Sequence, residues 1–226
     1  MAATDFVTRA LPEALGFVER RSGVRILGPI TVVIASIREG DPCAVRGLAS
    51  SDADQIYLYV GGGVSRAQLQ VGLVHELGHF AQYQVAGGAV ASSTLAEGFA
   101  TYAAGRYWPG WDGDTGFQGA VKRYRASGSY IPLTQGRLAC DTETRDRIYT
   151  ERAAFVEWLL RTQGEDKFWR LNKLSVRSTE PPSYSEEYPY LKPPVLLNNP
   201  VYESAPWERV YDASLPELER RWLASL

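Results

Sequence analysis

The chain has 226 residues, 45% hydrophobic and 22% charged, which excludes disorder and fibrous repeats and suits one domain with insertions. Lys and Arg number 24 against 26 Asp and Glu, so no charge excess points to nucleic acid or an anionic membrane. The most apolar run, 30–35, is too short to cross a bilayer, and the opening Met-Ala-Ala-Thr-Asp lacks a secretory leader's pattern, which leaves the compartment open.

In chain order, Phe6 to Arg21 has helical spacing at Phe6, Ala10, Leu11, Ala14 and Phe17, interrupted near its start by Pro12. Ile30 to Ile37 is rich in β-branched residues between Gly28-Pro29 and Gly40-Asp41-Pro42, and reads as a strand. Gln55 to Val60 reads as a second strand, closed by three glycines. Ser65 with Gln68 forms a capping-box pattern, and Gly87-Gly88 a stop, which predicts a helix from Arg66 to Ala86. Thr94 with Glu97 repeats the capping pattern and predicts a helix running to about Tyr107. Trp108 to Cys140 mixes Gly, Trp, Asp and short helical pieces and reads as an irregular excursion. Helical spacing returns at Ile148, Arg152, Phe155, Val156, Leu159 and Leu160 and stops at Gly164. Residues 175–206 hold seven of the thirteen prolines and four of the thirteen tyrosines (Tyr184, Tyr188, Tyr190 and Tyr202), the composition of a long loop or lid. An amphipathic helix, Leu215 to Leu226, closes the chain. The fold class predicted is α+β: a small antiparallel or mixed N-terminal sheet packed on the 66–86 helix, then a mostly helical C-terminal part. Within a single domain, 1–63 forms the sheet-rich part, 64–174 the site helices, 175–206 an insertion and 207–226 the terminal helix. Cys43 and Cys140 could pair in an oxidising compartment or stay free in a reducing one.

The only two histidines stand four residues apart, in His75-Glu76-Leu77-Gly78-His79, an H-E-x-x-H motif inside the best-signalled helix. A four-residue step on a helix brings both imidazoles to one face, a turn apart, as chelation of one tetrahedral metal ion requires. Zinc suits imidazole and carboxylate donors, and Glu76 stands where a general base can take a proton from water. The blander reading is a pair of core or surface histidines. A catalytic zinc takes three protein ligands. With Gln82 and Val85 where a longer histidine motif would continue, the third ligand must be a carboxylate or thiolate. Glu97 is the best placed, with small Ala100 and Ala104 on its helical face, although it could simply cap Thr94. Asp112, Asp114 and Cys140 stand in less regular surroundings.

This motif, followed by Glu97-Gly-Phe-Ala-Thr-Tyr102, resembles the gluzincin metallopeptidases, thermolysin-like and aminopeptidase N-like, and most of all their compact peptidase MA-like domains. The likeness extends to Tyr149-Thr-Glu-Arg-Ala-Ala-Phe-Val-Glu-Trp and to Leu215-Pro-Glu-Leu-Glu-Arg-Arg-Trp, covering about 30–174 and the last twenty residues. It implies His75, His79 and Glu97 as zinc ligands, Glu76 as general base and Tyr149, at the start of the later helix, as a donor to the oxyanion. It also implies Gln55 to Val60 as an edge strand along which an extended peptide lies. Thr101 departs from the pattern, standing where thermolysin-like enzymes carry an acid that orients a ligand histidine, so another group is expected to do so. No Gly-x-Met-Glu-Asn segment exists, which argues against aminopeptidase N-like specificity. The function expected is zinc-dependent peptide hydrolysis on a peptide or protein substrate. The alternatives are a non-catalytic module in which zinc staples the fold, and hydrolysis of a non-peptide amide.

Overall fold

The computed structural model describes residues 2–36, 47–50, 54–61, 63–134, 141–176 and 205–226. The first helix, α1 (Ala3–Ser22), carries Asp5 in its first turn and Arg20 and Arg21 in its last, each complementing the helix dipole. It buries Val7, Ala14 and Val18 along one face and ends at Gly23, whose φ of 71° forms a left-handed cap. Pro12 lies inside this helix without breaking it. Both Pro12 and Thr8, whose carbonyl loses its helical donor, are exposed, so water meets the orphaned oxygen.

Three strands follow: β1 (Thr31–Ser36), β2 (Gly47–Ser50) and β3 (Gln55–Val60). Their order is β1-β3-β2, with β1 parallel and β2 antiparallel to β3. The fold is thus α+β with a small mixed sheet near the N-terminus. β3 is the central strand and not an edge, which corrects the expectation for Gln55 to Val60. The strand that displaces it, β2, has a short Gly-Leu-Ala-Ser sequence of little intrinsic strand preference, and pairing with β3 defines it. β3 buries Ile56 and Leu58 completely.

Helix α2 (Arg66–Ala86) has the expected bounds and the full capping box: Ser65 Oγ accepts from Gln68 N–H, and Gln68 accepts from Ser65 N–H. A Cβ built on Gly72 would meet Leu58 Cδ2 at 3.4 Å, so β3 and α2 touch there. Helix α3 (Ser93–Ala104) is capped by Ser92, whose Oγ accepts from Leu95 N–H at 3.2 Å, and not by Thr94, which is buried. It stops at Ala104, and a 3-10 turn, Gly105–Tyr107, completes the stretch expected to be helical. The region read as irregular contains α4 (Gly116–Ala126), which buries Phe117, Ala120 and Val121. Its glycines hide the period, and packing supplies what the local sequence does not.

Helix α5 (Thr142–Gln163) starts at an Asp141 cap, well before Tyr149, and runs into α6 (Glu165–Leu174) after Gly164. A short α7 (Trp207–Tyr211) precedes α8 (Leu215–Ala224). One apolar core joins residues from every helix, among them Phe99, Phe117, Phe155, Phe168 and Trp222. Buried Gln82 donates from Nε2 to Leu95 O (3.0 Å) and Asn172 Oδ1 (2.7 Å), tying α2, α3 and α6 together. Cys43, Cys140 and 177–204, including Tyr184, Tyr188, Tyr190 and Tyr202, lie outside the described residues.

Candidate metal centre

The site begins with two close helix approaches that only small residues permit. A Cβ on Gly78 would stand 2.8 Å from Ala100 Cα and 3.1 Å from Ala103 Cβ, so glycine lets α3 lie directly on the motif helix. On the other side of α3, a Cβ on Gly98 would stand 2.8 Å from Val156 Cγ2 and 2.9 Å from Arg152 O of α5. Helix α3 is therefore clasped between α2 and α5, and Glu97 in its second turn is held over the two histidines.

His75, His79 and Glu97 converge, with one donor atom from each lying within 4.8 Å of the others. Glu97 Oε2 is 3.2 Å from His75 Nε2 and 3.5 Å from His79 Nε2. Two donors bound at zinc's usual ~2.0–2.1 Å in a tetrahedron lie ~3.3–3.4 Å apart, so these separations match the edges of such a site. Both imidazoles are 7% exposed, and their rings meet edge-on at 4.8 Å. Donor type and spacing both fit a single divalent ion. Asp112 is elsewhere, paired with Arg123, and Asp114 is exposed outside the cluster. Cys140 lies outside the described residues. Glu97 does not complete a cap at Thr94, because the helix is capped by Ser92, which accepts from Leu95 N–H.

The charges respond to one another. Burial opposes ionisation of both His79 and Glu97, yet the pair outweighs it: Glu97 raises the His79 pKa, and the imidazoles hold the Glu97 carboxyl well below its ordinary range. Glu76 is 6% exposed, and burial pushes its pKa up against the pull of His79 and His75. The edge strand lies across it. The Ala49 amide hydrogen-bonds Glu76, and a Cβ on Gly47 would come within 2.9 Å of Glu76 Cδ. Only glycine at 47 leaves the carboxylate its place.

Thr101, expected to leave the histidine without an orienting partner, supplies one: its Oγ1 lies 3.4 Å from His75 Nδ1. A hydroxyl can accept from Nδ1–H, the tautomer that turns the Nε2 lone pair toward a metal. His79 Nδ1 is buried with no partner among the described residues.

Tyr149 lies in the third turn of α5, not at a helix start, and stacks almost flat on His75, with centroids 5.7 Å apart and planes 6° apart. Burial, reinforced by the Glu97 charge, keeps its phenol protonated far above the ordinary range. Trp108, which sequence reasoning missed, lies 5.3 Å from His75 and 5.7 Å from Tyr149. Its Nε1–H donates to Thr150 Oγ1 at 3.1 Å, fixing the indole plane. Its placement depends on a turn that carries no local pattern, so only its residue type hinted at a role. Among the described residues, no helix is long and apolar enough to cross a membrane. No protein-family model, curated protein or solved structure matches this chain.

Proposed function

We propose that the protein is a gluzincin-type zinc metallopeptidase that hydrolyses peptide bonds. The observation that carries this reading is the convergence of His75, His79 and Glu97 on one point with Glu76 one residue from a ligand. Zinc bound by these three residues supplies Lewis acidity toward water and a substrate carbonyl.

Glu76 takes a proton from the attacking water and returns it to the leaving amine. Its burial favours this exchange, since a carboxylate with a raised pKa holds a proton more readily than an exposed one. Thr101 fixes the tautomer of His75. Tyr149, kept neutral, is an O–H donor suited to a developing oxyanion. β2 replaces Gln55 to Val60 as the strand that receives substrate, because of the two outer strands it is the one that lies against Glu76. An extended peptide aligned on β2 presents its backbone beside that carboxylate.

Among the described residues the cluster offers three donors, the number that a catalytic zinc takes, where a structural zinc takes four. The test is digestion of a broad peptide library with and without a zinc chelator. Chelator-sensitive cleavage by the native chain, abolished in Glu76→Gln while that variant still binds one zinc, is the expected result. Full turnover by Glu76→Gln removes the base from the mechanism. One tightly bound zinc without cleavage of any peptide returns the site to a staple or to non-peptide amides.

A further inference from the structure

Away from the metal ligands, at the C-terminal end of α1 and the segment after α3, lies an open cavity of about 440 Å³. Phe17, Arg20, Arg21, Arg106 and Trp111 line it. We propose that this cavity is a binding site for a phosphoryl oxyanion carrying two or more negative charges. The proposal is independent of the hydrolytic reading above.

Three arginines line one space in a chain whose formal charge is −2. Arg21 is fixed in place. Its guanidinium carbon lies 4.5 Å from the Tyr102 ring centre and 4.7 Å from that of Trp111. Its Nε donates to Tyr102 O, and its Nη2 pairs with Glu157 Oε1 at 3.4 Å. Gly105 makes this possible: a Cβ there would stand 2.7 Å from Arg21 Nε and 3.1 Å from Phe17 Cζ. The φ of 50° at Gly105 also favours glycine. Arg106 lies over Phe17 (5.4 Å) and Tyr107 (5.6 Å), two rings that brace each other edge to face. Trp111 is braced in turn by Phe117, at 5.0 Å and 90°.

Aromatic stacking therefore pre-orients two of the three guanidinium groups, so that little side-chain entropy remains to be lost on binding. Glu157 balances one of the three charges. Glu13 accepts the Tyr107 hydroxyl at 2.9 Å, and Glu165 acts on Tyr102, against which Arg21 packs. Arg20 and Arg106 make no ion pair among the described residues. An oxyanion with several equivalent oxygens can accept from more than one planar fork at once, which a single carboxylate does less well. The volume suits a small organic phosphate or a short inorganic polyphosphate.

Calorimetric titration of the full chain at low salt tests the site with inorganic phosphate, pyrophosphate and ADP as probes. Saturable binding is expected, with pyrophosphate tighter than phosphate and both weakened by added salt. The double variant Arg20→Ser/Arg106→Ser, altered only at exposed positions, should lose about tenfold or more in pyrophosphate affinity. Glu76→Gln should bind pyrophosphate as the native chain does. ADP binding more tightly than pyrophosphate identifies a ligand with a ring stacked on Trp111 or Phe17, and equal or weaker binding identifies an inorganic anion. Absence of saturable binding, or unchanged affinity in a folded double variant, overturns the proposal. If the double variant melts early, the arginine Nε–Hε resonances of the native chain decide. Shifts at Arg20, Arg21 and Arg106 on adding pyrophosphate uphold the site, and shifts only elsewhere overturn it.

Discussion

At the scale of single residues, the neighbours of His75 divide the work of holding one imidazole. Thr101 reaches Nδ1, Tyr149 stacks on the ring, and Trp108 packs against it at a tilt. Thr101→Val keeps shape and removes the hydroxyl, so zinc affinity should fall by about tenfold, the lower end for lost partners of a ligand histidine. Competition with a coloured chelator reads this directly. Tyr149→Phe separates the two parts of its side chain: zinc affinity should persist while turnover falls, and undiminished turnover would leave only the ring important. Titration carries a sign of its own. His79 is raised, so its pairing stabilises the metal-free fold below about its ordinary 6.5 and is lost as pH climbs through the folded value. Glu97 is lowered, so its contribution is present above about its ordinary 4.5 and is lost as pH falls through the folded value. The two windows overlap between about 4.5 and 6.5, and melting of the metal-free protein across pH should show the pair's contribution greatest there.

At the scale of elements, glycines decide where helices can meet. Gly78→Val places branched carbons against the α3 backbone, and should cost about 1–3 kcal/mol of stability by overpacking, with loss of zinc affinity as Glu97 is pushed away. Denaturant melts and zinc titration together read both effects. Much of this was legible locally. Ser65, Gln68 and Gly87 fixed the ends of α2 through capping bonds made within a few residues, and the four-residue step of His75 and His79 needs only helical geometry. Glu97 was readable because its helix follows directly and its neighbours are small. β2 was not readable, since it becomes a strand only by pairing with β3, and α4 was readable only as an unplaced helical piece, its bounds being set by the burial of Phe117 and Val121. Trp108 reaches His75 through tertiary packing, which no sequence spacing records, and Thr101 gained its role only once α3 was docked on α2.

At the scale of the whole molecule, a metal held by His75, His79 and Glu97 would couple α2 and α3, two elements that the core already holds together. Zinc removal should therefore lower the melting temperature without unfolding the chain at room temperature. The gain on zinc addition is set by ligand concentration over affinity, about 2.7 kcal/mol at a hundredfold excess over Kd. Because Glu97 raises the His79 pKa against the effect of its burial, zinc binding should displace a proton there, and calorimetry in two buffers of different ionisation enthalpy should show a release that grows as pH is lowered. The indole of Trp108 stands one ring-width from a ligand imidazole. Its emission should therefore change when a cation binds that imidazole, so zinc uptake is expected to be readable as a change in ultraviolet fluorescence, with no dye attached.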